Sequence, residues 1–316
     1  MIITLTANPA LDIYSKTERL EPNEKLRCEA PLIDAGGGGV NVSRVIKRLG
    51  GQSTAVYAKG GHTGKLFYDL LKKEGVTQNP VEVENDLRQN FAVTETATGN
   101  LYRFGFPGAQ LQESEYVALL EKVSNCEKGD FLVASGSLPP GAPSNFYARV
   151  AAKAKTCGLK FVLDTSGKSY QGVLEEGAYL LKPNKRELSD LTGQSAENLE
   201  EQKSALLKVL NRYPVEIIVL SLGGEGALLA TKGGVEHYPA PQVEHVSSIG
   251  AGDSMVAGLV HALSTGQPLK NAILYGLACG SATIKSPGTE LLKKEDVEML
   301  YEQLLNQTSG ENRIQH

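Results

Sequence analysis

The sequence predicts an α/β protein: a mostly parallel β-sheet with helices on both faces and a small second β-sheet beside it. Three observations predict this. From residue 107 onward, short apolar β-branched runs alternate with amphipathic stretches at helical spacing, the pattern of successive βαβ units. The run Glu216-Ile217-Ile218-Val219-Leu220-Ser221 is apolar without alternation, as expected of a strand covered on both faces. Residues 12–35 and 88–106 read as β-only, the first interrupted by Pro22 and Pro31, and together they predict one small sheet assembled from separated segments.

Taken in order, Ile2-Ile3-Thr4-Leu5-Thr6 is an opening strand that ends at Asn8-Pro9. Val40–Leu49 is helical, Thr54–Tyr57 a strand, and Lys65–Glu74 a helix stopped by Gly75. Phe91–Thr96 and Leu101–Phe106 flank Thr98-Gly99-Asn100, a hairpin signal. Then come a helix over about 113–125, strand Phe131–Ser135, helix 144–157, strand Lys160–Asp164, helix 168–176 and strand Tyr179–Lys182. Right-handed crossovers make that succession a parallel sheet. A helix over 196–212 precedes the apolar strand, a hairpin-like stretch covers 226–240, and helices near 269–284 and 293–307 close the fold. The polar residues after Ser309 read as a flexible tail.

With 316 residues the chain can bury a large core, and regular alternation fits one large α/β unit. The net charge of −4 offers no basic field for nucleic acid or a membrane surface, so an anionic substrate must be met locally. Cys28, Cys126, Cys157 and Cys279 lack CxxC spacing, and no signal peptide or long apolar run is present. A soluble, cytoplasmic protein is the expectation. The five histidines have no metal-ligand spacing.

The most informative motif is Ile249-Gly250-Ala251-Gly252-Asp253-Ser254. Apolar residues at 255, 256, 259, 260 and 263 mark one buried helical face, which places Asp253 in the first turn. There the Gly250, Ala251 and Gly252 amides lack intrahelical partners and the helix dipole adds positive potential, a ready anion cradle. A carboxylate beside it suits phosphoryl transfer: the amides hold the moving phosphoryl oxygens and Asp253 accepts the proton of an attacking hydroxyl. The competing reading is a carboxylate that only complements the dipole, worth roughly 0.3–1 kcal/mol.

Gly36-Gly37-Gly38-Gly39-Val40-Asn41 opens a helix and lets backbone approach a ligand closely, with Asn41 in the first turn. It is not a dinucleotide fingerprint, because no strand of a compact βαβ unit runs into it. Gly60-Gly61-His62-Thr63-Gly64-Lys65-Leu66 fails as a phosphate loop: three residues separate its glycines instead of four, and Leu66 stands where Ser or Thr is needed. Lys25 and Arg27 share one face if their segment is extended, and Arg88 opens the second β-only stretch; three converging cations would bind a phosphate dianion. A solvated basic edge explains the same spacing. In Lys182-Pro183-Asn184-Lys185-Arg186-Glu187, Asn184 and Glu187 fit two roles equally: handling Mg²⁺ through water, or a helix cap with its capping-box glutamate. Ser221-Leu222-Gly223-Gly224-Glu225-Gly226 is a glycine-rich turn able to receive a nucleotide.

Together with Ser135-Gly136-Ser137-Leu138-Pro139-Pro140-Gly141, these motifs resemble the ribokinase-like (PfkB) carbohydrate kinases, in the family's order and from residue 1 to about 307. The resemblance implies a Rossmann-like core over 1–11, 36–87 and 107–309, a β-sheet lid over 12–35 and 88–106 that forms a homodimer interface in several members, and a tail over 310–316. It implies Asp253 as catalytic base with Gly250, Ala251 and Gly252 as the anion hole. It also implies Asp12, Gly37, Gly38, Gly39, Asn41 and Ser137 on the sugar, and Lys182, Asn184 and the stretch from Ser221 through Leu222, Gly223, Gly224 and Glu225 to Gly226 on ATP. Asn184 and Glu187 would organise Mg²⁺.

Lys25-Leu26-Arg27-Cys28, the all-glycine loop and Arg88-Gln89-Asn90 are most similar to the minor-type 6-phosphofructokinases of that family. The expected reaction is ATP-dependent phosphorylation of fructose 6-phosphate at its C1 hydroxyl. Tagatose 6-phosphate or fructose 1-phosphate as acceptor, and a non-catalytic sugar-phosphate sensor, are the alternatives. A sensor has no use for the Asp253 base.

Overall fold

The computed structural model describes residues 1–123, 127–170 and 172–311. The chain opens with β1 (Ile2–Thr6), β2 (Ala10–Thr17), β3 (Leu32–Gly36), α1 (Gly38–Arg48), β4 (Thr54–Gly60) and α2 (Gly61–Lys73). It continues through β5 (Thr77–Gln78), β6 (Val81–Val83), β7 (Arg88–Glu95), β8 (Leu101–Phe104), α3 (Glu113–Lys122), β9 (Phe131–Ser135) and α4 (Phe146–Cys157). Next are β10 (Lys160–Asp164), α5 (Val173–Glu176), β11 (Ala178–Leu181), α6 (Lys185–Thr192), α7 (Leu199–Arg212) and β12 (Val215–Ser221). The last elements are β13 (Ala227–Thr231), β14 (Gly234–Tyr238), α8 (Ala251–Ser264), α9 (Leu269–Ile284) and α10 (Lys294–Glu311).

Ten strands form the main sheet in the order β14-β13-β12-β11-β10-β9-β1-β4-β5, with β6 also on β4. The strands from β12 to β4 are mutually parallel, and β13 and β14 fold back antiparallel as the hairpin expected over 226–240. Both faces are covered. Leu132, Ile218 and Leu220 pack with Phe146, Leu188 and Leu206 on one side, while Val133, Ile217 and Val219 pack with Val45, Val256 and Ile273 on the other. Odd and even positions of one strand therefore both face apolar cores, which is why β12 shows no polar alternation.

A separate four-stranded sheet has the order β3-β2-β7-β8. Its members come from both β-only stretches, and Asp12 stands in register with Asp34 on one neighbour and Asn90 on the other. Leu32, Ile33, Phe91, Tyr102, Phe104 and Phe106, all on or beside this sheet, are exposed.

Four local readings need correction. The helix expected over 168–176 is a 3₁₀ turn, Gly167–Tyr170, followed by the single turn of α5, because Gly172 intervenes at φ 78°, outside helical conformation. Lys25–Arg27 is not a strand: β2 ends at Thr17 and β3 begins at Leu32, and the proline-bounded segment between has no ladder of its own. α2 begins at Gly61, four residues before the start expected at Lys65. α10 runs to Glu311, two residues into the expected tail, whose remaining residues 312–316 lie outside those described, as do Cys126 and the end of the helix expected to reach 125. No helix among the described residues is long and apolar enough to cross a membrane.

Because both faces of β12 are enclosed, Ile217→Ala and Ile218→Ala should each destabilise the protein by about 2–5 kcal/mol. Urea unfolding of the two variants checks this; a near-neutral result for either neighbour would mean that one face of the sheet is open.

Candidate active site

The carboxyl ends of the parallel strands meet where the chain reverses its direction of travel along the sheet, since β1 has β4 on one side and β9 on the other. Open α/β sheets bind ligands at such a point. The loop after β1 carries Asn8 and Pro9 into the second sheet, and the chain returns through Gly36–Gly38 into α1. Close approach explains the glycines: a Cβ on Gly36 would strike the Asp12 carboxylate, and one on Gly38 would strike Ser135. Gly39 lies deeper, where a Cβ would come within 2.6 Å of the Leu5 carbonyl, so it serves the packing of α1 on β1.

Asn41, one turn into α1, donates its amide Nδ2–H to Asp253 Oδ2 at 2.9 Å. Ser135, the last residue of β9, donates its hydroxyl to Asp253 Oδ1 at 3.3 Å. Asp253 stands in the first turn of α8, whose N-cap Gly250 has φ 74°. Of the three amides expected to cradle an anion, Ala251 N–H turns back toward the Ser248 carbonyl at 3.4 Å, and Gly252 is exposed. Under this turn lies the Lys182 ammonium, 3.5 Å from the position a Gly252 Cβ would take and 3.1 Å from Asp164 Oδ1 at the end of β10.

The electrostatics follow from that grouping. Burial raises the Asp253 pKa, the Asp164 charge raises it further, and the Asn41 bond, Lys182 and the Ser135 bond oppose both; the balance stands at about 7. Burial likewise raises Asp164, against Lys182. Glu187 is raised by burial and by Asp164, against the Asn184 amide and Lys182. Three carboxyl groups thus share one ammonium.

A cavity of about 440 Å³ opens over Asp253. The core supplies Gly37, Gly38, Asn41, Gly136, Gly250 and Asp253; the second sheet supplies Asp12, Arg88, Asn90 and Arg103; Thr289 completes the rim. Asn90 Nδ2–H donates to Asp12 Oδ1 at 2.8 Å. Arg88 donates through its two terminal nitrogens to the carbonyls of Asn8, at 3.2 Å, and Phe106, at 3.4 Å, while its Nε is buried without a partner.

Several expected residues stand apart from this cavity. Lys25 and Arg27 are exposed on the segment between β2 and β3 and do not line it, so among the three expected cations only Arg88 converges. Ser137 is exposed beside Asn8, whose amide it accepts from at 3.3 Å. Asn184 and Glu187 form the reciprocal cap of α6, with Glu187 N–H on Asn184 Oδ1 and Asn184 N–H on Glu187 Oε2, both at 2.9 Å. Each keeps one polar group outside that cap. The Ser221–Gly226 turn lies beside it: Ser221 N–H donates to the Pro183 carbonyl at 2.9 Å, and Glu225 pairs with Lys185 at 3.0 Å. Among the described residues nothing stands within 4 Å of a Cβ at Gly223 or Gly224, and Glu225 is exposed, so Gly223 to Glu225 forms an open shelf past the end of β12, between buried Leu222 and Gly226.

Arg103, Asp164 and Thr289 are not singled out by motif, and Ser135 stands in the Ser135–Gly141 motif without a role of its own. Asp164 carried a signal, a carboxylate at the carboxyl end of a predicted strand. Arg103 is set by its pairing opposite Ala92, and Thr289 by a loop 36 residues after Asp253, neither of which spacing reveals.

Residues 6–295 match the profile of the pfkB family carbohydrate kinase. The chain belongs to the PfkB family of carbohydrate kinases. It is 40% identical over 302 residues to the ATP-dependent 6-phosphofructokinase isozyme 2 of Mycobacterium tuberculosis, covering 95% of this chain and 89% of that one. To the isozyme 2 of Escherichia coli it is 38% identical, covering 95% and 97%. The crystal structure of phosphofructokinase-2 from Escherichia coli in complex with substrates and products superposes with a TM-score of 0.92 over 96% of this chain and 99% of that chain, at 37% identity. Membership of this kinase family implies ATP as the phosphoryl donor. The PfkB fold thus confirmed is ribokinase-like, with a large mostly parallel sheet and a smaller separate one.

The raised pKa of Asp253 carries a sign for stability. A carboxyl whose pKa is 3.8 unfolded and about 7 folded contributes stability fully below pH 3.8 and loses it as pH rises toward 7. Asp253→Asn, which cannot ionise, should therefore gain on the parent across that window. Urea unfolding of both proteins as a function of pH tests it; parallel profiles would mean that the carboxyl is not desolvated.

Proposed function

We propose that this chain transfers the γ-phosphoryl group of ATP to the C1 hydroxyl of fructose 6-phosphate. One observation carries the reading: a half-buried carboxylate at a helix N-terminus, held by Asn41 and Ser135, faces a cavity whose opposite wall presents Arg88 and Arg103 beside Asp12. Two guanidinium groups suit a phosphate dianion, and a carboxylate with glycine backbone and amide side chains suits sugar hydroxyls. Lys25 and Arg27 are left out of this clamp.

In this reading the phosphate arm rests on Arg88 and Arg103 while Asp12, Gly37, Gly38 and Asn41 orient the ring, so that the reacting hydroxyl meets Asp253. Asp253 accepts its proton; a pKa near the working pH is the condition under which a base can do so and later release it. The free amides at the start of α8 and the Lys182 ammonium stabilise charge on the moving phosphoryl group. ATP lies along the Gly223–Glu225 shelf with Ser221, Lys182 and Asn184 at its phosphates. The second sheet acts as a lid that excludes water.

Mg²⁺ fits the same corner. Glu187 Oε1 and the Asp164 carboxylate, which pairs with Lys182, are oxygen ligands for a cation or its waters, while Asn184, whose Oδ1 is taken by the cap, has only its Nδ2–H left to give to a phosphate oxygen. Bound there, Mg²⁺ would neutralise phosphate charge. The exposed Leu32, Ile33, Phe91, Phe104 and Phe106 support a homodimer through the lid.

An ADP-release assay across fructose 6-phosphate, tagatose 6-phosphate, fructose 1-phosphate and ribose tests the assignment, with fructose 6-phosphate expected to give the highest kcat/KM. Preference for another sugar phosphate would sink the acceptor but keep the kinase. Asp253→Asn should lower kcat by roughly 10²–10⁴-fold while ATP binding persists; near-normal turnover would reject the base. Arg88→Ala and Arg103→Ala should each weaken the sugar phosphate by about ten- to a hundredfold with little change in the ATP KM, the cost of one lost charge-assisted hydrogen bond. If both leave its KM unchanged, the clamp is elsewhere.

A further inference from the structure

Beyond the groups that meet substrate, a chain of four side chains ties the second sheet to the core. Arg44 of α1 is 2% exposed, and a guanidinium so deep must be fully paired. Its Nε–H donates to both Glu74 carboxylate oxygens, at 3.0 and 2.9 Å, and Nη1 to the Ala35 carbonyl at 2.7 Å. Nη2 reaches both Asp34 Oδ1, at 2.9 Å, and Glu74 Oε1, at 2.7 Å. The other Asp34 oxygen accepts the Thr289 hydroxyl at 2.6 Å, across 255 residues of sequence. Thr289 stands on the cavity rim; Asp34 does not line the cavity.

A second contact reaches the same sheet from the same loop. Gly288, at φ 58°, lies so close to the Tyr14 ring of β2 that no Cβ fits between them. The loop between α9 and α10 therefore bears on β2 through Gly288 and on β3 through Thr289. β3 is an edge of its sheet, and Asp34 stands in register with Asp12, which stands in register with Asn90. Whatever fixes Asp34 fixes the height of Asp12 and its neighbours above Asp253.

We propose that Thr289 and Asp34, anchored by Arg44, are positioning residues: a latch that seats the lid sheet over the core and so sets the grip of Asp12, Asn90 and Arg88 on the sugar phosphate. The guanidinium is suited to the anchor because its planar fork fixes partner directions. Thr289 is suited to the release point, since a neutral hydroxyl on a carboxylate is the one link in the series that opens without leaving a buried charge unpaired. This assignment rests on the sugar-phosphate reading of the cavity.

The test uses the full chain with Thr289→Val, which keeps shape and removes the hydroxyl, Thr289→Ser, which keeps the hydroxyl, and Asp34→Asn. Amide hydrogen exchange without ligand and steady-state kinetics are measured on each. Thr289→Val and Asp34→Asn should speed exchange across Leu32–Gly36 and raise the fructose 6-phosphate KM by about tenfold, as for one hydrogen bond lost, with the ATP KM close to the parent; Tm should hold in Thr289→Val and fall in Asp34→Asn, which also takes an ion-pair partner from buried Arg44. Thr289→Ser should restore both readings. Unchanged exchange at Leu32–Gly36 in both variants overturns the latch. So does a raised KM in Thr289→Val alone, which would make Thr289 a direct substrate contact, and so does a fall in the Tm of Thr289→Val with both KM values shifted, which would make the network merely structural. Should the parent fail to phosphorylate fructose 6-phosphate, the functional reading falls, and exchange in the unliganded chain decides the latch by itself.

Discussion

The Asn41–Asp253 hydrogen bond joins the first helix of the α/β core to a helix 212 residues later, and the chemistry of the site depends on it. Asp253 stands among groups that pull its proton affinity in opposite directions. Burial and the Asp164 charge resist ionisation; Asn41, Lys182 and Ser135 favour it. The first pair wins, but only as far as about 7. Stripped of the two hydrogen bonds, the same carboxyl would rise further and stay protonated at neutral pH, useless as a base. Placed in water it would ionise at 3.8 and bind a proton too weakly.

The fold makes that balance possible by sending unrelated segments to one sheet edge. Ser135 and Asp164 end adjacent strands, Lys182 follows the next, and each is held in place by parallel pairing rather than by its own loop. Ser135 and Lys182 are thus mounted on the central strands of the main sheet, and Asn41 joins them from α1. The groups facing them from across the cavity sit on a smaller sheet, seated through the loop at Gly288 and Thr289. Fixed chemistry on one wall and an adjustable grip on the other suit a reaction from which water must be excluded and product released.

What the sequence made legible follows the range of the signal. Asp253, Asn41 and the four glycines were readable because a helix start, a buried face and a glycine run are local patterns. The strands were readable because burial on both faces leaves uninterrupted apolar runs. Arg103, Asp34 and Thr289 were hidden: their positions come from strand register and from a contact across 255 residues, and neither leaves a periodicity. Lys25 and Arg27 were misplaced by applying the two-residue strand period to a segment that Pro22 and Pro31 keep out of any ladder. At Asn184 and Glu187 spacing could not separate a cap from a cation site; the structure shows the cap, which takes up Asn184 Oδ1 and Glu187 Oε2 and leaves Glu187 Oε1 outside it.

Arg88 shows how the proposed site would meet an anion. Its terminal nitrogens are held by the Asn8 and Phe106 carbonyls, which aim the guanidinium, yet its Nε is buried without a partner among the described residues. An unsatisfied buried donor costs about 1–3 kcal/mol, more when charged. Burial accordingly lowers the Arg88 pKa, and only the Asp12 carboxylate counters it. A phosphate oxygen reaching this nitrogen would relieve a penalty the folded chain already carries. It would do so without the entropy cost of ordering a long flexible side chain. An uncharged sugar has no group that relieves the same strain, so on the proposed reading Arg88 would discriminate through the state it is held in as well as through the contact it makes.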